Sequence, residues 1–275
     1  MAFGDLTRIG TNLQSMDSLR TLQKSNNELG MRQLRLATGS KINRAEDDSA
    51  GYSIATKLQS KVRGQAQALS NVGDAKSMLT IAEGSLNTVM EILQTMKEKT
   101  VQAANDTMSS TERTAIDNQL DALSNEITDI LGDSKFNNTS LFTSTAFKFQ
   151  VGESSSDSFS VTVGTMSVTQ LSVATANINV SSAANATGLL SSIDSAITTI
   201  SNKLGGIGDS QKRLTFKQDA LGIAINNNEA ARSRIADADF AKEQMEIVKL
   251  QILQQTGTAA VAQANSAPQS VLSLF

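Results

Sequence analysis

Leu190, Ile193, Ile197, Ile200, Leu204, Ile207, Gln211, Leu214, Gln218, Leu221, Ile225, Asn228, Arg232 and Ile235 follow one another at alternating steps of three and four. A stripe that returns every 3.5 residues over about six heptads is the pattern of one long helix lying along another. Gln211, Gln218 and Asn228 weaken this seam while fixing its register. At 1.5 Å per residue the helix is roughly 70 Å long, whereas a compact globule of this chain length is on the order of 50 Å across. The expected fold is therefore mainly α: an elongated antiparallel coiled-coil or helical-bundle rod from the N- and C-terminal halves, with a small β-hairpin region.

Other segments fill in that frame. Ala75, Met78, Ala82, Ser85, Val89, Ile92 and Met96 form a second stripe, flanked by Leu69, Val72, Leu79, Leu86, Met90 and Leu93. So wide an apolar face suits a helix with more than one neighbour. Ile116, Leu120, Leu123, Ile127 and Ile130 mark a third helix, with Ser110 or Thr111 expected as its N-cap. The period then drops to two at Phe147, Phe149, Val151 and at Phe159, Val161, Val163, across the turn-rich Gly152–Ser158, which predicts a β-hairpin at about 146–164. Residues 165–188, rich in Ser, Thr, Ala and Asn, read as a variable exposed segment. Gly205, Gly206 and Gly208 lack the spacing of a phosphate loop and suggest a bend or close helix contact.

Composition removes most chemistry. The 275 residues hold 24 Lys and Arg against 27 Asp and Glu, a formal charge of -3, with no His, Cys or Trp. The usual general base, the commonest transition-metal ligands and every thiol mechanism are gone, so no enzyme, cofactor or metal site is expected. The acidic balance argues against nucleic acid as a partner. Glu46, Asp47 and Asp48 lack the alternating spacing of a calcium loop and read as capping and ion-pairing groups beside Arg44. No run of 18 apolar residues exists to enter a membrane, and Met1–Gly10, with Asp5 and Arg8, does not read as a secretory signal.

Both ends repeat the amphipathic theme. Leu6, Ile9, Leu13 and Met16 keep one heptad; after a phase slip Leu19, Leu22, Leu29 and Leu36 resume it with Asn26 and Gln33. At the other end Met245, Val248 and Ile252 begin one seam, and Ile247, Leu250, Gly257, Val261 and Ala264 another, with Leu253 beside them. Pro268 is expected to stop this helix and leave the apolar tail Val271, Leu272, Leu274 and Phe275. Arms of about 35 residues with two stripes each cannot cover both by pairing with one another. Uncovered stripes imply contact with further copies, and contacts that do not close into a ring build a helical fibre. The candidate assembly interface is thus Leu6, Ile9, Leu13, Met16, Leu19, Leu22, Leu29, Leu36, Met245, Val248, Leu250, Ile252, Leu253, Val261, Val271, Leu272 and Leu274.

Two long motifs carry a family resemblance. Leu36-Ala37-Thr38-Gly39-Ser40-Lys41-Ile42-Asn43-Arg44-Ala45-Glu46-Asp47-Asp48-Ser49-Ala50-Gly51 and Ser233-Arg234-Ile235-Ala236-Asp237-Ala238-Asp239-Phe240-Ala241 resemble the terminal motifs of bacterial flagellin. The tail from Gln251 to Leu274 is similar too. The resemblance implies a short form without large outer domains. Residues 1–42 and 236–275 would be inner-tube terminal helices, forming a coiled coil on assembly, and 43–235 the helical rod domain. Arg44, Glu46, Asp47, Asp48, Arg232, Arg234, Asp237 and Asp239 would form bend or spoke contacts.

By the same resemblance the protein is an extracellular structural subunit of the bacterial flagellar filament. It would self-assemble into a helical tube for motility and leave the cell unfolded through a type III export channel, without a cleaved signal peptide. Partners implied are its own copies, an export chaperone, a filament cap and junction proteins. Thr95 and Lys99 stand where flagellins read by the flagellin-sensing immune receptor carry Arg and Leu, implying weak receptor activation. The start, Met1–Asn12, looks about four residues longer than the common family start. Alternatives are a hook-filament junction protein and, from another class, a membrane-active amphipathic secretion protein.

Overall fold

The computed structural model describes residues 11–272, with side chains through residue 266. Its helices are α1 (Leu13–Thr38), α2 (Ser49–Ala103), α3 (Ser110–Asp133), α4 (Ala183–Ala236) and α5 (Phe240–Leu272). Between α3 and α4 lie two antiparallel two-stranded sheets, β1 (Lys135–Phe136) with β2 (Thr139–Ser140), and β3 (Phe147–Gln150) with β4 (Ser158–Val161). The chain forms two compact units. One holds residues up to Ser60 and from Asn227 onward, the other Lys61–Asn226. The sequence-based boundaries, 42/43 and 235/236, fall near the end of α1 and at the end of α4, while the units divide within α2 and α4.

The core of the central unit is a heptad seam on α2. Ala68, Val72, Ala75, Leu79, Ala82, Leu86, Val89, Leu93 and Met96 are all buried, at steps of four and three. Alternate members of the α4 stripe, seven residues apart, are buried in the same core: Ile193, Ile200, Ile207, Leu214 and Leu221. Alanines alternate with larger residues along α2, which lets a neighbouring helix approach closely. Three polar contacts set α2 and α4 antiparallel: Lys76 Nζ to Gln218 Oε1 at 3.2 Å, Gln211 Nε2 to Glu83 Oε2 at 2.8 Å, and Lys97 Nζ to Asp194 Oδ1 at 2.6 Å. Two of the polar residues in the stripe thus sit at its margin, where they meet partners at no burial cost.

The N-cap of the third helix is Ser109, one residue before the earlier of the two expected positions. Ser109 accepts from the Glu112 N–H at 3.3 Å, and Glu112 accepts from the Ser109 N–H at 2.7 Å. That reciprocal pair decides the position, because only from 109 does Glu112 sit at the third helical residue. Ile116, Leu120 and Ile127 enter the core, with Leu123 and Ile130 packed partly buried against it. Buried Arg113 donates to the carbonyls of Ala103 and Asn105, closing the end of α2.

The hairpin expected at about 146–164 is present, with Phe147 opposite Val161 and Phe149 opposite Phe159. Phe159 is buried beneath the Arg213 guanidinium, 4.7 Å from the ring centroid. Asn71 Nδ2 ties the hairpin to α2 through the Gln150 carbonyl at 2.9 Å. The β1–β2 hairpin went unread, although its turn, Asn137-Asn138, has both residues at positive φ (47° and 63°), a geometry that asparagine tolerates.

Three expectations are corrected. Residues 165–188 are not an exposed segment throughout, since Met166, Leu171, Val173, Ile178, Val180 and Ala186 are buried in the central core. All but Ala186, in the first turn of α4, pack from loop on either side of the 3₁₀ turn Thr175–Asn177, which itself buries nothing, so no period announces them. Two α3 side chains hold this strap: Ser124 Oγ donates to the Val173 carbonyl at 2.7 Å, and Asp117 Oδ1 accepts from the Val180 N–H at 3.2 Å. Gly205, Gly206 and Gly208 lie inside α4 with nothing within 4 Å of the position of a Cβ, so no close helix contact requires them. Pro268 does not stop the last helix, which continues to Leu272; the carbonyl four residues before it, at Ala264, has another donor, described below.

Asp121 Oδ1 is buried without a hydrogen-bond partner. Desolvation, and then the charge of Asp117 one turn earlier, raise its pKa above the ordinary aspartate value. A carboxyl whose folded pKa is raised destabilises the fold once it ionises, and the penalty disappears as the pH falls. Asp121→Asn is therefore expected to raise the melting temperature at pH 7 by roughly 2 °C. Calorimetry at pH 7 and near pH 3 checks this; a gain of the same size at both contradicts it.

Candidate assembly interface

Within the terminal unit α1 and α5 lie side by side, and their facing stripes hold little apolar bulk. On α1 Ser15, Ser18, Leu22, Ser25, Leu29, Arg32 and Leu36 are screened from solvent in a series of threes and fours, with Glu28 and Arg35 screened beside them. On α5 the corresponding series is Ile247, Leu250, Gln254, Gly257, Val261 and Ala264, with Glu243 and Glu246 also screened. Leu29, Leu36, Ile247 and Leu250 form a small apolar cluster. Further along, a Cβ at Gly257 would stand 3.2 Å from Leu22 Cδ1, so only glycine fits that approach without displacement.

A charged contact reinforces the end nearest the connection between the helices. Glu243, in the first turn of α5, is only 5% exposed and accepts from Arg32 Nη1 at 2.9 Å, with Arg35 at 3.9 Å. An acidic side chain in a first helical turn also meets the positive end of the helix dipole. Neither arginine nor Glu243 was singled out from the sequence. The available signal was Arg32 and Arg35 one turn apart, together with an acid at the α5 start.

The two family-type motifs meet at this end. Gly39, with φ at 68°, ends α1, and Ser40 bridges Asp237 in an antiparallel pair. Lys41 N–H donates to the Ala236 carbonyl at 2.6 Å, and Ala238 N–H to the Gly39 carbonyl at 2.9 Å. Asp47 Oδ2 accepts from the Asn43 and Arg44 N–H groups, both at 3.0 Å, while Asp48 Oδ1 accepts from Gly51 N–H at 2.9 Å and so caps α2. A side chain at Gly51 would collide with Asp48 and Ile42. Asp239 caps α5 through the N–H groups of Ala241 and Lys242.

The remaining predicted bend residues divide. Arg232 pairs with Glu229 at 2.7 Å and reaches Asp237 at 3.7 Å. Glu46 holds only Arg44, at 3.0 Å on the surface, where such a pair contributes little. Arg234 is exposed and donates to the carbonyl of Ala230 in its own helix at 3.3 Å, so it belongs to no bend contact.

The predicted interface residues divide in the same manner. Leu22, Leu29, Leu36, Leu250 and Val261 face the α1–α5 seam. Leu250, 4% exposed, is an internal packing residue and has no surface to offer another copy. Leu13, Met16, Leu19, Met245, Val248, Ile252 and Leu253 lie open, Met245 at 67% and Leu253 at 45% exposure. Met31, Leu34 and Phe240 join them, unread because they fall outside the selected stripes. Leu6, Ile9 and Leu274, and the side chains of Val271 and Leu272, lie outside the described residues.

An apolar surface of this kind on both terminal helices, beside interlocked motifs, can be compared with known proteins. Residues 9–146 match the bacterial flagellin N-terminal helical region and 190–275 the bacterial flagellin C-terminal helical region. The chain belongs to the flagellin family. It is 34% identical to a flagellin of Halalkalibacterium halodurans over 97% of this chain and 99% of that one, and 31% identical to a flagellin of Bacillus subtilis over 98% and 99%. A structure from Vibrio parahaemolyticus described as a flagellar hook-associated protein shares the fold at a TM-score of 0.58, 15% identity, 70% of this chain and all of that one. The protein is thus a structural subunit of the flagellar filament. No helix among the described residues is long and apolar enough to cross a membrane.

The bend has a pH signature. Hydrogen bonds from the backbone N–H groups of Arg44 and Asn43 hold the Asp47 carboxyl below the ordinary aspartate value of 3.8, with Arg35 and Arg44 adding to the effect. A depressed folded pKa contributes stability above the unfolded value and loses it as the pH falls through the folded one. Asp47→Asn is expected to speed amide exchange at residues 39–48 at pH 7. Compared by acid unfolding, the gap between variant and parent is full above the ordinary value of 3.8, narrows as the pH falls below it and closes only once the depressed folded pKa is passed; a gap that does not narrow on acidification contradicts the assignment.

Proposed function

We propose that copies of this chain join through the open apolar side of α1 and α5, with Leu13, Met16, Leu19, Met245, Val248, Ile252 and Leu253 as the contact set. The observation behind this is the division of each arm into a covered and an uncovered stripe. On α5 Ile247, Leu250 and Ala264 are buried, while Met245, Val248, Ile252 and Leu253, displaced round the same helix, are exposed. Large apolar side chains in such number on one unit are the mark of an interaction surface. Contacts that repeat without closing produce a helical fibre. Arg44, Asp47, Asp48, Arg232, Asp237 and Asp239 serve it by holding the chain direction at the bend.

Export fits the same physics. Arms joined by a seam of serines and a few leucines unfold at small cost, which supports passage through a narrow type III channel and capture by an export chaperone before assembly. Cap and junction proteins complete the proposed partners. Exposed Thr95 and partly exposed Lys99, on α2, replace an Arg donor and a Leu anchor of receptor-read flagellins. The purified protein is expected to activate the flagellin-sensing receptor weakly; a full cellular response at nanomolar protein contradicts this.

Two leucines separate assembly from folding. Leu253→Glu is expected to raise the critical concentration for polymerisation at least about tenfold, the scale of a charge set into an apolar contact, while the helical content of the subunit stays unchanged. Leu250→Glu opens the α1–α5 seam and reduces helicity as well. Sedimentation and circular dichroism of both variants test this, and long filaments from Leu253→Glu refute the proposed surface.

A further inference from the structure

A helix that continues through proline leaves one carbonyl without its N–H. In α5 that carbonyl belongs to Ala264, four residues before Pro268. Ala264 is 5% exposed, so water does not readily replace the missing donor. Asn12 Nδ2 donates to this oxygen at 2.8 Å. The other half of the same amide works on its own helix, because Asn12 Oδ1 accepts from the Ser15 N–H at 3.0 Å and caps α1. Beside it, Ser15 Oγ meets Asn265 Oδ1 at 2.7 Å.

We infer that Asn12 is a positioning residue for assembly, setting the register of the two arms by supplying the donor that Pro268 lacks. The seam alone does not choose a register. Steps of three and four repeat every heptad, and a small side chain such as Ser15, Ser18 or Ser25 accepts neighbours of many shapes, so a slip of seven residues brings similar side chains together again. Pro268 marks one carbonyl of α5 as different from the rest of its stripe. A slip in either direction carries Asn12 away from it and leaves a buried acceptor unmatched. The Arg32–Glu243 pair pins the far end. From Asn12 to Arg32 and from Glu243 to Ala264 each helix rises about 30 Å, so the two pins agree on a single alignment.

This inference rests on the proposed assembly surface, since a fixed register is what places the open residues of α1 and α5 in one pattern. Its test is independent of polymerisation. The chain has no Cys, and a Cβ at Gly257 would lie 3.7 Å from Leu22 Cβ, the separation of a disulfide. The full chain carrying Leu22→Cys and Gly257→Cys reports correct alignment by its rate of intrachain cross-linking. Asn12→Ser keeps a good N-cap and removes the amide donor. It is expected to slow cross-linking about tenfold, as for one unmatched buried hydrogen-bonding group in a marginal pairing. Pro268→Ala restores an N–H at position 268, and in that background Asn12→Ser is expected to change the rate less than about twofold. An equal effect of Asn12→Ser in both backgrounds, or none in the Pro268 chain, overturns the inference. The same variants without the cysteines are tested for polymerisation. A parent chain that fails to polymerise while the cross-linking pattern holds defeats the assembly reading alone.

Discussion

Among the described residues α1 and α5 carry two stripes each and pack chiefly on one another, and the rest of the structure depends on that constraint. A helix pair buries one side of each member. On α5 the buried side is Ile247, Leu250, Gly257, Val261 and Ala264, so Met245, Val248, Ile252 and Leu253 are left open. The seam itself is thin. Serines occupy three of its places on α1, and a serine contributes little apolar area against the entropy of ordering its segment. The arms therefore have both the surface to associate and little stability to hold them when alone.

The central unit is built differently from the same heptad grammar. Its α2 seam alternates alanine with valine and leucine as far as Leu86 and continues with Val89, Leu93 and Met96, α4 answers with isoleucine and leucine every seventh residue, and α3, the β3–β4 hairpin and the strap through Val173 and Val180 add to the same core. Most apolar side chains there find neighbours in the same chain, while Ile81, Val101, Phe216 and Ile223 stay exposed. Stable unit and unfinished unit thus differ in how many neighbours each helix has, rather than in helix propensity or charge.

Helix number and type were legible because period is written in every residue. Facing was harder to read. Two seams on α5 were visible, but period cannot say which one meets α1. The answer lay in Ser15, Ser18 and Ser25, which a search for apolar residues passes over because their role is closeness rather than hydrophobicity. Leu250 was misplaced for that reason. The Arg32–Glu243 pair joins residues far apart in sequence, and only the fold brings them together. Burial of Met166, Leu171 and Val180 escaped notice because a loop packs without a period. Asn137-Asn138 did carry a turn signal. At the bend Asp47 and Asp48 make caps that are local in sequence and so visible in it, whereas the direction of Arg234, which donates within its own helix, is not written in its spacing.

Hydrogen exchange followed by mass spectrometry, on dilute subunit and on sedimented polymer, tests the central claim most directly. The account predicts rapid exchange of the α1 and α5 amides in the subunit, slow exchange in the polymer, and unchanged protection of the α2 seam in both. Full protection of both terminal helices in the dilute subunit would contradict it.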